Sequence, residues 1–261
     1  MPANEIPPEA PSIDPEEVAR FDRLGEDWWD PHGPMKALHA FNPTRVDYLR
    51  RLISHRRARQ RAKGEGAAGM PTDKPLAGIA ILDIGCGAGL LSEALSRLGA
   101  QMTGIDPAPT NIEMARSHAE KSGLAIDYLC TTAEALAAEG KTFDVVLAME
   151  VIEHVRDVDD FIACAAGLAR PGGLFVAATL NRTLKSYALA ILGAEYVLQW
   201  VPKGTHSWAQ FVKPGELAAA MRDAGLRVID ETGVGFDPLS GKWRESRSMD
   251  VNYIIAAERR A

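Results

Sequence analysis

Two carboxylates and an imidazole fall within one short stretch, Glu150-Val-Ile-Glu153-His154. If this turn is helical, Glu150 and Glu153 share a face. The trio suits two chemistries. Carboxylates with imidazole can hold a divalent cation (magnesium, manganese or zinc) that lowers the pKa of a bound hydroxyl. In that case His206 is a candidate fourth ligand. Alternatively, His154 takes a proton as a general base with no metal. A purely structural cluster is the third reading.

A second constellation lies upstream. Asp83-Ile84-Gly85-Cys86-Gly87-Ala88-Gly89 follows an apolar run and opens an amphipathic one. Glycines there let the chain turn tightly and let a ligand approach the main chain. The spacing is G-x-G-x-G, with Leu90 where a dinucleotide fingerprint has its third glycine. The Asp83 carboxylate suits a cationic group better than a phosphate. Asp106 follows the glycines at about 20 residues, where an acid holds a ribose diol or else caps the next helix. Cys130-Thr131-Thr132-Ala133-Glu134 closes the next run. A base would lie beside Ala133 and Glu134, unless the segment is a plain capping box. Met149 ends a further run, where its backbone and thioether can cover an adenine edge.

These residues need elements to position them. From residue 79 strands and helices alternate. GIAILDIG, QMTGID, LAIDYLC, FDVVLAME and LFVAATLN read as strands with helices between them. That pitch predicts an α/β fold with a parallel sheet and right-handed crossovers. After an insertion near 182–210 come the helix PGELAAAMRDAG and the strands LRVIDET and DVNYIIAAE. With no helix between them, the last two are placed antiparallel at one sheet edge.

The flanks divide into a mobile tail at 1–15, an N-terminal helical cap and linker at 16–75, and the main domain at 76–261. A helix begins at Pro15 with Asp14 as its cap and Glu16 and Glu17 at its positive end, running toward Trp28 and Trp29. DPHGPMKALHAFNP reads as a loop. A second helix follows Asn42-Pro43, with Val46, Leu49 and Ile53 at helical spacing. The basic, Gly-rich stretch at 56–75 is either a solvated helix end and linker or a contact for anionic headgroups.

Composition narrows the class. Hydrophobic residues make up 46% and charged residues 25% of the 261, ordinary globular usage that excludes a disordered chain. The net charge of −6 argues against a nucleic-acid partner. Cys86, Cys130 and Cys164 form no CxxC pair, which excludes a Cys-zinc module and a disulfide framework. A cytoplasmic location fits. The acidic, Pro-rich start is not a secretory signal, and no run reaches the roughly 18 apolar residues of a membrane span.

In order and spacing, LDIGCGAG, Asp106, TTAE, FDVVLAMEVIEHV and LARPGGLFVAAT resemble the class I S-adenosylmethionine-dependent methyltransferases over about residues 79–180. The resemblance implies S-adenosylmethionine as cofactor. It also implies a Rossmann-like three-layer sandwich with a seven-stranded, mostly parallel sheet and an antiparallel last strand. The flanks narrow it. FDRLGEDWWDPHGPMKALHAFNPTRVDYL, the insertion from Thr179 through Tyr196 to His206, and the ending DVNYIIAAE resemble the ubiquinone-biosynthesis O-methyltransferases. This covers nearly the whole chain, although the 56–75 stretch is longer than the family usually has.

The resemblance implies two O-methylations, one of a 2-polyprenyl-6-hydroxyphenol (a catechol) and one of 3-demethylubiquinol to ubiquinol. It implies cofactor contacts at Arg45, Gly85, Asp106 and Met149, to which the loop reading adds Asp83, Gly87, Ala133 and Glu134. Arg45 can pair with the methionine carboxylate. The ExxEH arrangement also resembles the metal site of small-RNA 2′-O-methyltransferases, so another catechol or a small RNA is the alternative substrate. The acidic charge and the apolar insertion speak against RNA. An NAD-dependent oxidoreductase is disfavoured by the glycine spacing. Residues 186–201 read as a buried lid or as a lid touching a membrane, on the inner face of the inner membrane, with Tyr196, Trp200 and Lys203 at the interface. Other ubiquinone-biosynthesis enzymes are candidate partners.

Overall fold

A computed structural model describes residues 12–23, 25–62, 73–187, 208–237 and 239–260. Most of the expected lid, and His206, lie outside the described residues.

Helix α1 (Pro15–Asp22) starts where expected, with the Asp14 carboxylate accepting from the Glu16 N–H at 3.0 Å. It stops at Asp22, and a separate 3-10 turn, Gly25–Trp29, carries the two tryptophans. Helix α2 (Lys36–Ala62) begins well before Asn42-Pro43 and keeps Pro43 inside it, so the expected loop is helical from Lys36 onward. Proline there removes a helical hydrogen bond, and packing overrides that cost. Phe41 is buried with Tyr48, Leu49 and Ile53 against the sheet, and Asn42 Nδ2 donates to the Leu90 carbonyl at 3.0 Å.

The strands are β1 (Ala80–Ile84), β2 (Gln101–Asp106), β3 (Asp127–Cys130), β4 (Phe143–Met149), β5 (Ala169–Leu180), β6 (Leu226–Asp237), β7 (Lys242–Ser246) and β8 (Asn252–Arg259). Their order is β3-β2-β1-β4-β5-β8-β6-β7. The strands from β3 to β5 pair in parallel, and β8 lies between β5 and β6, antiparallel to both. The sheet therefore has eight strands where seven were expected, and β8 is internal, not at the edge. The eighth, β7, extends a hairpin from β6. Its sequence, KWRES, lacks an apolar alternation because only Trp243 faces the core, packing on Phe41 and Phe236. Thr44 Oγ1 also donates to the Trp243 carbonyl at 3.0 Å.

Helices α5 (Ala133–Ala138), α6 (Val158–Leu168) and α8 (Pro214–Asp223) cover one face, around Leu82, Val146, Phe161, Leu217 and Tyr253. Helices α2 and α3 (Leu90–Arg97) cover the other, around Leu49, Ile81, Leu95 and Val176. Helix α4 (Pro109–Lys121) packs on β2 and β3, and the short α7 (Leu184–Ser186) precedes the undescribed stretch. Two arginines of the basic stretch have structural partners. Arg56 pairs with Glu258 at 2.6 Å and donates to the Gly172 carbonyl, and Arg57 donates to the Ala77 carbonyl at 3.0 Å. Among the described residues no helix is long and apolar enough to cross a membrane.

The chain leaves β1 toward β2 and β3 on one side, and places β4 and β5 on the other. Open α/β sheets bind ligands beyond the carboxyl ends of the strands at such a reversal. The glycine loop and the Glu150–His154 stretch both follow those ends.

Candidate active site

The glycine loop is held by the acid at the end of β2. Gly87 N–H donates to Asp106 Oδ2 at 2.9 Å, while Ala108 N–H and Asn111 Nδ2 donate to Oδ1 at 2.9 and 3.2 Å. Burial pushes the Asp106 carboxyl up, and these donors offset only part of that shift. Trp28 Nε1 donates to Asn111 Oδ1 at 2.8 Å, so the 3-10 turn reaches Asp106 through one side chain. Gly85 has φ 67°, and a Cβ there would fall 2.5 Å from Val151 Cγ2.

Behind the loop, Ser92 Oγ donates to Asp83 Oδ2 at 2.6 Å. Burial pushes the Asp83 carboxyl up to about 6, against the Ser92 bond and the Arg45 charge. Arg45 is itself buried, which lowers its pKa, and the charges of Glu150 and Asp83 oppose that. Its Nη2 donates to Asn42 Oδ1 at 2.9 Å, and its guanidinium sits 5.2 Å from the Phe41 ring centroid. Its Nε is buried and has no partner among the described residues.

A cleft opens beside the loop, bordered by Gly85, Asp106, Ala133, Glu134, Glu150 and His154. Arg45, Asp83, Gly87 and Met149 do not border it, and Met149 packs into the core beneath α2. Thr132 caps α5, with Oγ1 accepting from the Ala135 N–H at 3.2 Å, which places Ala133 and Glu134 at the cleft. Glu134 Oε1 accepts from Ser12 Oγ, and its buried Oε2 has no partner among the described residues. The opposite wall comes from α1 and the 3-10 turn, through Glu17, Val18, Phe21 and Trp28.

The α1 side of this wall is not legible in the sequence. Residues 12–14 fall in the expected mobile tail, yet Ile13 forms an antiparallel bridge with Val155, and the Ser12 carbonyl accepts from Arg156 N–H at 3.0 Å. Glu17 reads in sequence as an ordinary first-turn acid. No local signal announces its partner.

The ExxEH stretch does not share one face. Glu150 has φ 63°, which costs a non-glycine residue about 1–3 kcal/mol, and it precedes the 3-10 turn Ile152–His154. Glu153 turns into the core, where Thr179 Oγ1 donates to Oε2 at 2.6 Å and Oε1 is buried with no partner among the described residues. Burial, and then the Glu150 charge, pushes the Glu153 carboxyl well above the usual range. His154 turns the other way, with Nδ1 2.7 Å from Glu17 Oε2 and Phe21 edge-on at 5.0 Å. Among the described residues no three His, Cys, Asp or Glu side chains gather as ligands for a metal. As arranged, the expected Glu150, Glu153 and His154 donor set does not fit a three-ligand cation site.

The orphaned atoms do fit a cofactor that combines an amino acid with a nucleoside. Arg45 Nε is a buried donor awaiting an acceptor, and Glu134 Oε2 is a buried acceptor awaiting a donor. Gly85 and Asp106 stand at the strand ends beside the cleft.

The fold and the glycine loop at its switch point define a class I S-adenosylmethionine-dependent methyltransferase. A family model described as a methyltransferase domain matches residues 46–231. The ubiquinone biosynthesis O-methyltransferase of Methylocella silvestris is 61% identical over 254 residues, 95% of this chain and 96% of that protein. Its namesake in Brucella ovis is 51% identical over 250 residues, 96% and 97% of the two chains. Magnesium protoporphyrin IX methyltransferase from Synechocystis PCC 6803, solved with bound SAM, shares the fold at a TM-score of 0.59 and 17% identity, covering 95% of this chain and 98% of that one. The chain belongs to the ubiquinone biosynthesis O-methyltransferase family.

Proposed function

We propose that this enzyme methylates two phenolic hydroxyls in ubiquinone biosynthesis, on a 2-polyprenyl-6-hydroxyphenol and on 3-demethylubiquinol, with His154 as the general base. The observation that carries the choice of base is the His154 Nδ1 contact with Glu17 at the edge of the cleft. A carboxylate accepting from Nδ1–H leaves Nε2 as the nitrogen that takes a proton.

A phenol has a pKa near 10, so only about one in a thousand is ionised at neutral pH. S-adenosylmethionine supplies an electrophilic sulfonium methyl. His154 removes the hydroxyl proton as the oxygen forms its bond to that methyl carbon and the carbon–sulfur bond breaks. The products are a methyl ether, S-adenosylhomocysteine and a proton on His154, released later to water. Asp106 is oriented by its three donors to hold a ribose diol. Arg45 Nε would donate to the methionine carboxylate from behind the cleft lining, and Glu134 Oε2 would accept from a base amino group. Val18, Phe21, Val151, Val155 and Phe161 form an apolar wall that excludes water from the reacting atoms.

A polyprenyl tail is delivered from a bilayer, so the proposal includes peripheral membrane contact through 186–201, at the inner face of the inner membrane. Leu184 is 80% exposed, and Tyr187 and Trp208 are also exposed on either side of the undescribed stretch, which supports this. Association with other ubiquinone-biosynthesis enzymes belongs to the same reading.

The test is transfer of labelled methyl to a short-chain demethylubiquinol after chelator treatment, with and without added divalent cations. Activity that survives chelation and collapses in His154→Gln supports the base. Activity restored only by a cation overturns it and returns the chemistry to Glu150, Glu153 and His154 as ligands.

A further inference from the structure

The residue that orients His154 stands 137 positions away, on the N-terminal helix. The Glu17 and His154 side chains are only 18% and 14% exposed, so their 2.7 Å contact is largely shielded from water. Shielding strengthens such a bond relative to a surface pair. Arg20, one turn on, pairs with the same Glu17 oxygen and fixes the carboxylate. Burial raises the Glu17 pKa, but the hydrogen bond from His154, the Arg20 charge and, once the imidazole is protonated, its charge outweigh it, so the group sits below its ordinary value. Phe21 meets the imidazole edge-on at 5.0 Å and holds its plane.

Helix α1 has attachments that do not involve His154. Ser12 bonds Glu134, Ile13 bridges Val155, and Asp22 Oδ1 accepts from Thr110 N–H at 2.9 Å. These tie α1 to the segments that follow β2, β3 and β4. The same helix forms a wall of the cleft. One element therefore both walls the cleft and presents a carboxylate to His154.

We propose that Glu17 is a positioning residue: docking of α1 over the cleft selects the His154 tautomer protonated on Nδ1, so the base becomes competent only when the cleft is closed. This rests on the reading of His154 as the base. Carboxylate–imidazole pairs serve this end in other enzymes, where replacing the acid by its amide leaves the geometry and loses rate through the wrong tautomer.

A merely structural role would loosen α1 and raise the cofactor Kd and KM. A positioning role lowers kcat. The experiment is a double-mutant cycle of Glu17→Gln and His154→Gln on kcat, with S-adenosylhomocysteine affinity measured by calorimetry. Glu17→Gln is expected to lower kcat about 10- to 100-fold with affinity within about threefold, and the double variant to match His154→Gln alone. Glu17→Asp is expected to recover part of the rate. If Glu17→Gln keeps kcat within about twofold, or its loss adds fully to that of His154→Gln, the positioning role is overturned while the base reading stands. If His154→Gln itself keeps wild-type kcat, the base reading falls and the proposal with it. A second readout needs no change at Glu17. Nitrogen-15 imidazole shifts of the wild-type complex with S-adenosylhomocysteine, assigned by His154→Gln, should show Nδ1 protonated and Nε2 bare at neutral pH. The opposite tautomer overturns the proposal.

Discussion

The Trp28 indole covers Gly87 so closely that a Cβ at Gly87 would fall 2.5 Å from Trp28 Cη2. The same indole reaches Asp106 through Asn111, so the glycine loop, the ribose acid and the N-terminal segment form one unit. Gly87 also has φ 54°, a conformation that L side chains rarely adopt.

Replacing Gly87 by Ala therefore adds a methyl where the indole lies and strains the backbone. Stability should fall by about 1–3 kcal/mol. Affinity for S-adenosylhomocysteine should fall at least about tenfold. Tryptophan emission should shift to the red as Trp28 is pushed toward water. Calorimetry and emission spectra check this, and an unshifted spectrum with unchanged affinity would refute the unit.

Arg45 is a buried positive charge that acts on the buried Asp83 and the half-buried Glu150. Its removal leaves the buried Asp83 carboxylate without the charge that offsets its burial, which costs roughly 3–5 kcal/mol in such settings. Arg45→Ala should be destabilised by that order and should lose cofactor binding. The loss should be smaller in acid. Asp83 already titrates at about 6, and without Arg45 it titrates higher, so below that value it is neutral and needs no partner. Arg45→Lys keeps the charge and loses the planar fork. It should recover most of the stability and little of the affinity. Denaturant unfolding at mildly acidic and mildly alkaline pH checks the trend, and a pH-independent loss in Arg45→Ala would count against it.

The parts of this fold written in local pattern could be read from the chain. Strands β1, β2 and β4 and the LFVAATL part of β5 are short runs closed by turn residues, and the glycine loop sits between a strand and a helix whose periods are clear. Helix α1 declares its start through Asp14 and Pro15. The parts set by tertiary contact could not be read. Pro43 signals a helix start, but burial of Phe41 carries α2 back to Lys36. Strand β7 hides because its one inward residue, Trp243, stands among charges. The ExxEH expectation assumed a helical turn, and Glu150 at φ 63° breaks that assumption. Glu17 was invisible as a functional residue because its partner lies across the cleft, and side-chain reach between distant segments leaves no mark in spacing.

The buried Glu153 beside the half-buried Glu150 gives a pH test. Burial and the neighbouring Glu150 charge raise its pKa above the ordinary carboxylate range, while the Thr179 hydroxyl bond opposes the shift. In the unfolded chain it titrates near 4.3. Between that value and the raised one, the folded protein holds a proton that the unfolded chain has lost. Stability from this group therefore falls as pH rises through that window. Glu153→Gln removes the titration and keeps an oxygen that can accept from Thr179. The variant and the wild type should melt at similar temperatures near about pH 4. Above that, the variant should gain on the wild type steadily, until Glu153 is ionised in the folded chain as well. Calorimetric Tm values from about pH 4 to about pH 9 check it. A gap between the two proteins that stays constant across that range would mean that Glu153 does not titrate with a raised pKa.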